Sequence, residues 1–534
     1  MFLHSKIKYQ NIFWAILPAF LLLIGSCSGN KTSNIFKEDY LNVDAFQNTL
    51  YQKLKPIDTT DTLLQKRLLT DMDLNVTYAY QLSTYKPFWF DKSGLIEAGA
   101  ALPYHLQMLT YDGLDPEDYH LSRIRQIIRK VKNSKVGVLD SVEDWDAEMT
   151  KAYLSAAHDL LFGTGQINSE DTSWHIPNDK QFNGAAVLSR QMDTSNKFPS
   201  FDSFRPQLAC YQQMRAAVKK WEGLNQDSIY LNTKKHLTLH QDSLIFKVLH
   251  KEFGRPYTLF NKDTLSALIA TYQRMHQLNI TGKADQSTLS SLKELPDYYM
   301  QRLFLNMERL REMPRLPGKE YVWVNIPMMK MKYVRDGKLL FQTKAVVGTV
   351  KRKTPSLSAL MTNVIFNPTW TVPPTIVAND IARGIRRSGS RYLLEKGLRA
   401  LNDRGEEVTH SVTAANYKEF TYQQPAGPDN ALGQIKFNLP NPWDIYLHDT
   451  PHENAFSRQI RTLSSGCIRL QDPAGFAQTL LHYTPEQTDS LIQTGTTQSV
   501  KLKPPVPVYI IYLTVDADFE HGGLDYLHDI YQKD

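Results

Sequence analysis

"EYVWVNIPMMKMKYVRDGKLLFQTKAVVG", Glu320 to Gly348, alternates through strand-forming residues and is broken once by a turn signal, at Asp336-Gly337. A period of two places every second side chain on one face of a sheet, and Asp-Gly between two such runs marks a tight hairpin. The C-terminal part of the chain is therefore expected to be β-rich. Further strand candidates follow in "LMTNVIFNPTW", "IYLH" and "VPVYIIYLTV". Between "TVPPTIVAND" and "DNALGQIKF", roughly residues 376 to 430, a helix-like basic segment, "DIARGIRRSGSRYLLEKG", interrupts the strands. It reads as an insertion, either a lid over a site or a decoration whose arginines face water.

Upstream the period changes. From residue 34 to 231 the pattern is mostly helical, as in "AEMTKAYLSAAHDLLFGTG", where Met149, Tyr153, Ala156, Leu160 and Leu161 recur at helical spacing before Gly163. Nothing in this region reads as catalytic. Asp115, Glu117 and Asp118 fit no metal-loop spacing, and a capped helix start after Pro116 accounts for them. Three short helical patterns occupy residues 232 to 296, the third with Asp285 as its expected N-cap. Within them "YQRMHQLNITGKADQSTLSSL" resembles the small three-helix peptidoglycan-binding module of many wall enzymes, although any amphipathic three-helix bundle has this apolar pattern. The expected fold class is thus α+β and multidomain. It comprises a leader at 1–27, a mostly helical scaffold at 34–231, a three-helix bundle at 232–296 and a β-rich domain at 297–534 with its insertion.

A chain of 534 residues affords several cores at roughly 150 residues per domain. Its 61 Lys and Arg against 55 Asp and Glu leave a net charge of only +6, which does not mark a nucleic-acid binder. Lys6 and Lys8 precede the apolar run Ile12 to Ile24, too short for the ~20 residues a spanning helix needs. That is a signal peptide, and "IGSC", Ile24 to Cys27, resembles a bacterial lipobox, which implies cleavage before Cys27, lipidation of its thiol and a membrane anchor. The expected location is the bacterial cell envelope, facing the periplasm, with the outer membrane favoured because no aspartate follows Cys27.

Two cysteines remain. Cys210 lies in a helical apolar pattern and reads as a small buried residue. Cys467 lies in "HDTPHENAFSRQIRTLSSGCIRLQD", His448 to Asp472, within a serine-glycine turn nineteen positions after a histidine that closes the strand-like "WDIYLH". A cysteine attacks carbonyls as thiolate and needs a nearby base, which His448 would supply if the polar loop between them folds back. Ser464, Ser465 and Gly466 form a small-residue turn whose backbone N–H groups would face a developing oxyanion, and Gly466 tolerates the sharp backbone this requires. Arg469, two residues beyond Cys467 on an extended segment, would point the same way and either hold a substrate carboxylate or make a structural ion pair. His452 reads as a solvent-facing bystander.

"IYLHDTP" followed by "SSGCIRL" resembles the signature of the L,D-transpeptidases with a YkuD-type catalytic domain, in the large periplasmic YcbB-like branch. "NMERLREMP", "VVGTVKRKTPSLS", "NPTWTVPPTI", "GQIKFNLPN" and "PVPVYIIYLT" resemble that branch in the same order. Many family members have histidine where Ser465 stands, and the S-S-G-C form is similar to the YcbB-like branch. The resemblance implies that Cys467 is the nucleophile and His448 the general base and later acid, with the Asp449 carbonyl orienting the imidazole. It implies oxyanion donors at the Gly466 and Cys467 N–H groups. Tyr446, Lys436, Phe437 and Trp370 would lie near the cleft, with plain packing as their alternative. Ser465 and Arg469 would meet substrate. The implied reaction joins two peptidoglycan stem peptides, donor and acceptor, in a 3-3 cross-link through a cysteine thioester with release of D-alanine. No metal or other cofactor is implied, and acylation by carbapenems is. Two alternatives remain: a carboxypeptidase or endopeptidase that uses water as acceptor, and a noncatalytic lipoprotein that tethers the wall. A papain-like protease is disfavoured, because there the cysteine precedes its histidine.

Overall fold

The Glu320–Asn325 strand pairs antiparallel with Lys330–Arg335, which pairs in turn with Lys338–Gly348. Asp336 and Gly337, both at positive φ (50° and 73°), turn the second hairpin as the Asp-Gly signal predicts. The computed structural model describes residues 41–534 apart from 62–65, 69, 134–141, 195–196, 257 and 315–317. The leader and Cys27 fall outside the described residues. Among the described residues no helix is long and apolar enough to cross a membrane.

The hairpins belong to a sheet that runs Ile435–Asn438, Leu447–His448, Ile468–Leu470, Lys338–Gly348, Lys330–Arg335, Glu320–Asn325, Gln498–Ile511, Ser356–Phe366. Ile435–Asn438 also pairs with Ser356–Phe366, so the strands close on themselves and the two end strands satisfy each other's backbone groups. The apolar half of the alternation makes one core: Val322 and Val324, Met331 and Tyr333, Ala345 and Val347, Ile435 and Phe437, Ile468 and Leu470 are all buried in it. Phe476 from the helix Pro473–Leu481 packs into the same core, 4.6 Å from Phe437 between ring centroids.

The insertion is more than a basic helix. Trp370–Thr371, Thr421–Gln424 and Arg399–Leu401 form a separate three-stranded sheet, so the insertion begins by Trp370, ahead of the expected residue 376. Its helices, among them Ala382–Ser388 and Ser390–Glu395, share a core in which Ile381, Ile385 and Leu393 are buried with Val372, Val412 and, from that sheet, Ala400 and Tyr422.

By their contacts the described residues divide into two compact units, one of those up to 167 with those of 178–274 and 278–314, the other of 168–177, 275–277 and 318–534. The β unit thus recruits a piece of the region read as helical: Trp174–His175 adds a short strand parallel to Ser356–Phe366, and Lys533 holds Asp171 at 2.6 Å. Conversely, the helix Pro296–Arg311, assigned by its position in sequence to the β-rich domain, packs in the helical unit. There Tyr299 stacks on Trp221 at 4.2 Å and Arg311 and Glu308 are buried together.

In the helical unit Asp146, wholly buried, accepts the amide N–H groups of Phe88 and Trp89 at 3.0 and 2.8 Å and the hydroxyl of Tyr80. This ties the aromatic turn "PFWF" to the long helix Val142–Phe162. Asp115 caps the short turn Pro116–Tyr119 by accepting from the Glu117 N–H at 2.9 Å, and Glu117 accepts from the Ser122 N–H at 3.2 Å, so these two acids serve the backbone. The helices Asp242–Glu252, Lys262–Met275 and Gln286–Leu292 share a core that includes Ile245, Leu268 and Leu289, and Tyr230 from the preceding helix Ser228–Lys235 joins it. Asp285 caps the third of them, accepting from the Thr288 N–H at 2.7 Å.

Candidate active site

Strand register assembles the site. His448 lies opposite Lys436 on one neighbouring strand and Arg469 on the other. Leu447 lies opposite Phe437 and Ile468, all three buried in the core. Alternation therefore puts Lys436, His448 and Arg469, with Tyr446 and Cys467 two places back along their strands, on the face turned away from that core. The same parity removes Phe437 from the site. It is 0% exposed, and its ring packs on Phe476, so its role is structural and the expectation that it lines the cleft is corrected.

Cys467 carries its thiol into a cleft of about 1280 Å³ lined also by His448, Tyr446, Arg469 and Ser465 from the strands and by Trp370, Ile376, Asp380 and Leu398 from the insertion. Its Sγ lies 3.5 Å from the Asp444 carbonyl, to which the thiol donates. When ionised, the sulfur accepts from both the backbone N–H and the hydroxyl of Tyr446. Burial pushes the thiol above its ordinary range, and the Tyr446 donors with the Lys436 and Arg469 charges only partly offset this. Tyr446 is itself held by a hydrogen bond with Trp370 and by the Lys436 ammonium 4.1 Å above its ring, and burial drives its hydroxyl strongly toward the neutral form.

His448, 4% exposed, donates from Nδ1 to the Asp449 carbonyl at 2.5 Å. A carbonyl only accepts, so this bond assigns the proton to Nδ1 and leaves Nε2 as the basic nitrogen. Burial, then the Arg469 charge, drives the imidazole pKa down to about 3. Asp449 is locked in turn: its carboxylate takes the Gln434 and Thr450 N–H groups, both at 2.7 Å, and its own N–H reaches the Ile435 carbonyl at 2.9 Å. The expected orienting role of the Asp449 carbonyl thus has a fixed geometry behind it.

The turn before Cys467 differs from expectation at one point. Ser464 Oγ accepts the Gly466 N–H at 3.1 Å and donates to the Cys467 carbonyl at 2.6 Å. The Gly466 N–H is therefore already engaged and does not face the cleft as an oxyanion donor. Gly466 keeps a backbone reason to be glycine, since its φ of 124° lies in a region that residues with a Cβ resist. Ser465 is exposed and accepts from Arg352 Nη1 at 2.7 Å. Arg469 has its Nε buried with no protein partner among the described residues. His452, exposed as expected, also borders the cleft. Cys210 is buried in the helical unit and joins no disulfide among the described residues.

Arg352, Asp380 and Thr354 are working parts around this turn that the sequence does not single out. Arg352 meets Ser465 from 113 residues away, and no local pattern announces such a pairing.

A neutral imidazole beside a raised thiol predicts a definite pH profile. The rate of Cys467 alkylation by iodoacetamide is expected to keep rising beyond pH 9, because thiolate forms only as pH passes the raised pKa, with no inflection between pH 5 and 8 from His448. A preformed thiolate–imidazolium pair would instead hold the rate nearly flat across that range. Mass-mapped alkylation against pH separates the two.

Residues 319–510 match the family model of the L,D-transpeptidase catalytic domain, YkuD, and residues 74–218 match that of a scaffold domain. A curated protein of Haemophilus influenzae, named "Putative L,D-transpeptidase", is 34% identical over 241 residues, which cover 44% of this chain and 48% of that protein. The match thus spans about half the length of that relative. Among solved structures, an L,D-transpeptidase from Mycobacterium smegmatis is 14% identical with a TM-score of 0.18, over 36% of this chain and 58% of that one. The catalytic domain of an E. faecium L,D-transpeptidase acylated by ertapenem is 14% identical with a TM-score of 0.17, over 36% of this chain and 97% of that one.

Proposed function

We propose that this chain, whose residues 319–510 form an L,D-transpeptidase catalytic domain of YkuD type, is a peptidoglycan L,D-transpeptidase that works through a thioester on Cys467. The observation that carries the reading is the Cys467 sulfur in the cleft, on the same sheet face as a neutral His448 whose Nδ1 proton is pinned to the Asp449 carbonyl.

In the first half-reaction Cys467 gives its proton to His448 Nε2 as Sγ attacks the carbonyl between the third and fourth residues of a tetrapeptide stem. The imidazolium then protonates the departing amine, D-alanine leaves, and a thioester remains. In the second half-reaction His448 takes a proton from the side-chain amine of a second stem. That amine attacks the thioester and returns the thiol, leaving a 3-3 cross-link. An imidazole that stays neutral down to about pH 3 is available as the base throughout the physiological range. With the Gly466 N–H engaged, the Tyr446 hydroxyl is a donor already directed at the reacting sulfur. The buried, unpartnered Nε of Arg469 suits the terminal carboxylate of the donor stem.

The lipid anchor at Cys27, the periplasmic location and wall binding by the bundle of residues 232–296 belong to the same proposal. So does acylation of Cys467 by carbapenems, which would use the same attack. The direct test is to mix the full chain with a disaccharide-tetrapeptide, quench in acid and map the adduct by mass. An acyl group on the Cys467 peptide with free D-alanine is expected. An unmodified Cys467 in a folded chain, with no D-alanine, would leave the tether reading in its place.

A further inference from the structure

Between the strands Lys338–Gly348 and Ser356–Phe366 the chain makes a tight turn closed by the Thr349–Arg352 bridge. This turn leans on the one that carries the nucleophile. Thr349 donates its N–H to the Ser464 carbonyl at 3.0 Å, Thr354 Oγ1 donates to the Gly466 carbonyl at 2.7 Å, and Arg352 Nη1 donates to Ser465 Oγ at 2.7 Å. Residues 464 to 466 are thus each held by a different residue of one neighbouring turn.

Arg352 also reaches the insertion. Its guanidinium forks onto Asp380, Nη1 to Oδ2 at 2.6 Å and Nη2 to Oδ1 at 2.5 Å. Asp380 sits in a single π turn, Val377–Ile381, which departs from the register of the helix that follows it. Asp380 and Ser465 both line the cleft. The side chains of Arg352 and Asp380 are 38% and 39% exposed, and a pair so open to water adds little to folding stability. Its geometry is specific nonetheless, because a planar fork satisfied on both oxygens admits few orientations. Lys436 and Arg469 are the cations that act on the Cys467 sulfur, so Arg352 is not needed to tune the thiol.

We propose that Arg352 is a positioning residue: by bonding Asp380 and Ser465 with one guanidinium it holds the insertion's wall of the cleft and the Cys467 turn at a fixed separation. The role rests on the transpeptidase reading for its consequence, but the mechanical tie stands or falls by itself. Lysine cannot replace the fork, since an ammonium is a point charge without two parallel N–H groups.

The test uses the full chain with Arg352→Ala, Arg352→Lys, Asp380→Ala and the double alanine variant. Hydrogen exchange reads the tie directly. Arg352→Ala is expected to speed exchange both in 377–388 and in 464–467, the second segment being distant in sequence from either substitution. With disaccharide-tetrapeptide as substrate, kcat is expected to fall about tenfold in each single variant with KM within about twofold, and no further in the double variant. Iodoacetamide, which needs no cleft wall, is expected to alkylate Cys467 within about twofold of the wild-type rate.

Unchanged exchange at 464–467 in Arg352→Ala, or losses in kcat that multiply in the double variant, would overturn the proposal. Wild-type chain that releases no D-alanine would sink the transpeptidase reading and leave the exchange result to decide this one. Should an alanine variant fail to fold, Arg352→Lys and Asp380→Asn, which keep the side-chain volume, decide the matter through the same exchange measurement: faster exchange at 464–467 supports the tie, and unchanged exchange overturns it.

Discussion

Cys467→Ala is expected to leave the chain folded and to cut the release of D-alanine from a disaccharide-tetrapeptide by about 10⁴-fold or more, which is to background. Alanine removes only the sulfur. The turn is held by Ser464, Thr349, Thr354 and Arg352 through atoms that do not include the thiol, so its geometry survives the change. The residual rate should show no pH dependence traceable to a thiol. D-alanine release within tenfold of wild type, measured under the same conditions, would mean that the thiol is a passive lining of the cleft.

His448→Ala is the second large effect. A positioned general acid and base typically contributes 10² to 10⁴ in rate, and in the proposed mechanism one imidazole would serve both half-reactions, so acylation is expected to fall about 10³-fold. Cys467 in this variant keeps its Tyr446, Lys436 and Arg469 surroundings and is expected to remain alkylatable at high pH. Free imidazole, which fits a space vacated by the same ring, is expected to restore part of the rate. A stability signature accompanies the kinetic one. The folded pKa of about 3 lies below the unfolded value of about 6.5, so the unfolded chain binds the proton first as pH falls. The stability that depends on a neutral His448 is present above about pH 6.5 and is lost progressively toward pH 3, and the alanine variant should lack that loss. Pulse-quench acylation rates and urea unfolding at several pH values measure both effects. Acylation within tenfold of wild type would contradict the assigned role.

Much of the fold is carried by local pattern. The period-two run Glu320 to Gly348 and its Asp-Gly turn are local signals, and they describe the strands and the second hairpin correctly, whereas the turn at 326–329 that makes the first hairpin carries no such signal. Closure of the sheet is not local: it depends on Ile435–Asn438 finding Ser356–Phe366 across the whole insertion. The insertion's own sheet consists of strands of two to four residues, too short for periodicity to register. The edge strand Trp174–His175 is two residues within a helical neighbourhood, and only its partner Ser356–Phe366 makes it a strand.

The site divides along the same line. His448 at a strand end and Cys467 in a Ser-Gly turn are visible because chemistry restricts which residues fit. Phe437 could not share a face with Lys436, its neighbour along an extended strand, and the period of two alone separates them. The Gly466 N–H reads as an oxyanion donor in sequence because its competing acceptor is a serine hydroxyl whose direction depends on a rotamer. Arg352 and Asp380, 28 residues apart, sit in separate elements, and no local pattern pairs them.

The central claim is that Cys467 passes a stem peptide from D-alanine to an amine. Mass spectrometry of disaccharide-tetrapeptide incubated with the full chain, beside Cys467→Ala, tests it most directly. The predicted product is a dimer with the mass of two monomers less one D-alanine, fragmenting as a 3-3 cross-link and absent from the Cys467→Ala reaction. Tripeptide monomers without dimer would show water as the acceptor, and unchanged substrate with folded wild-type chain would contradict the account.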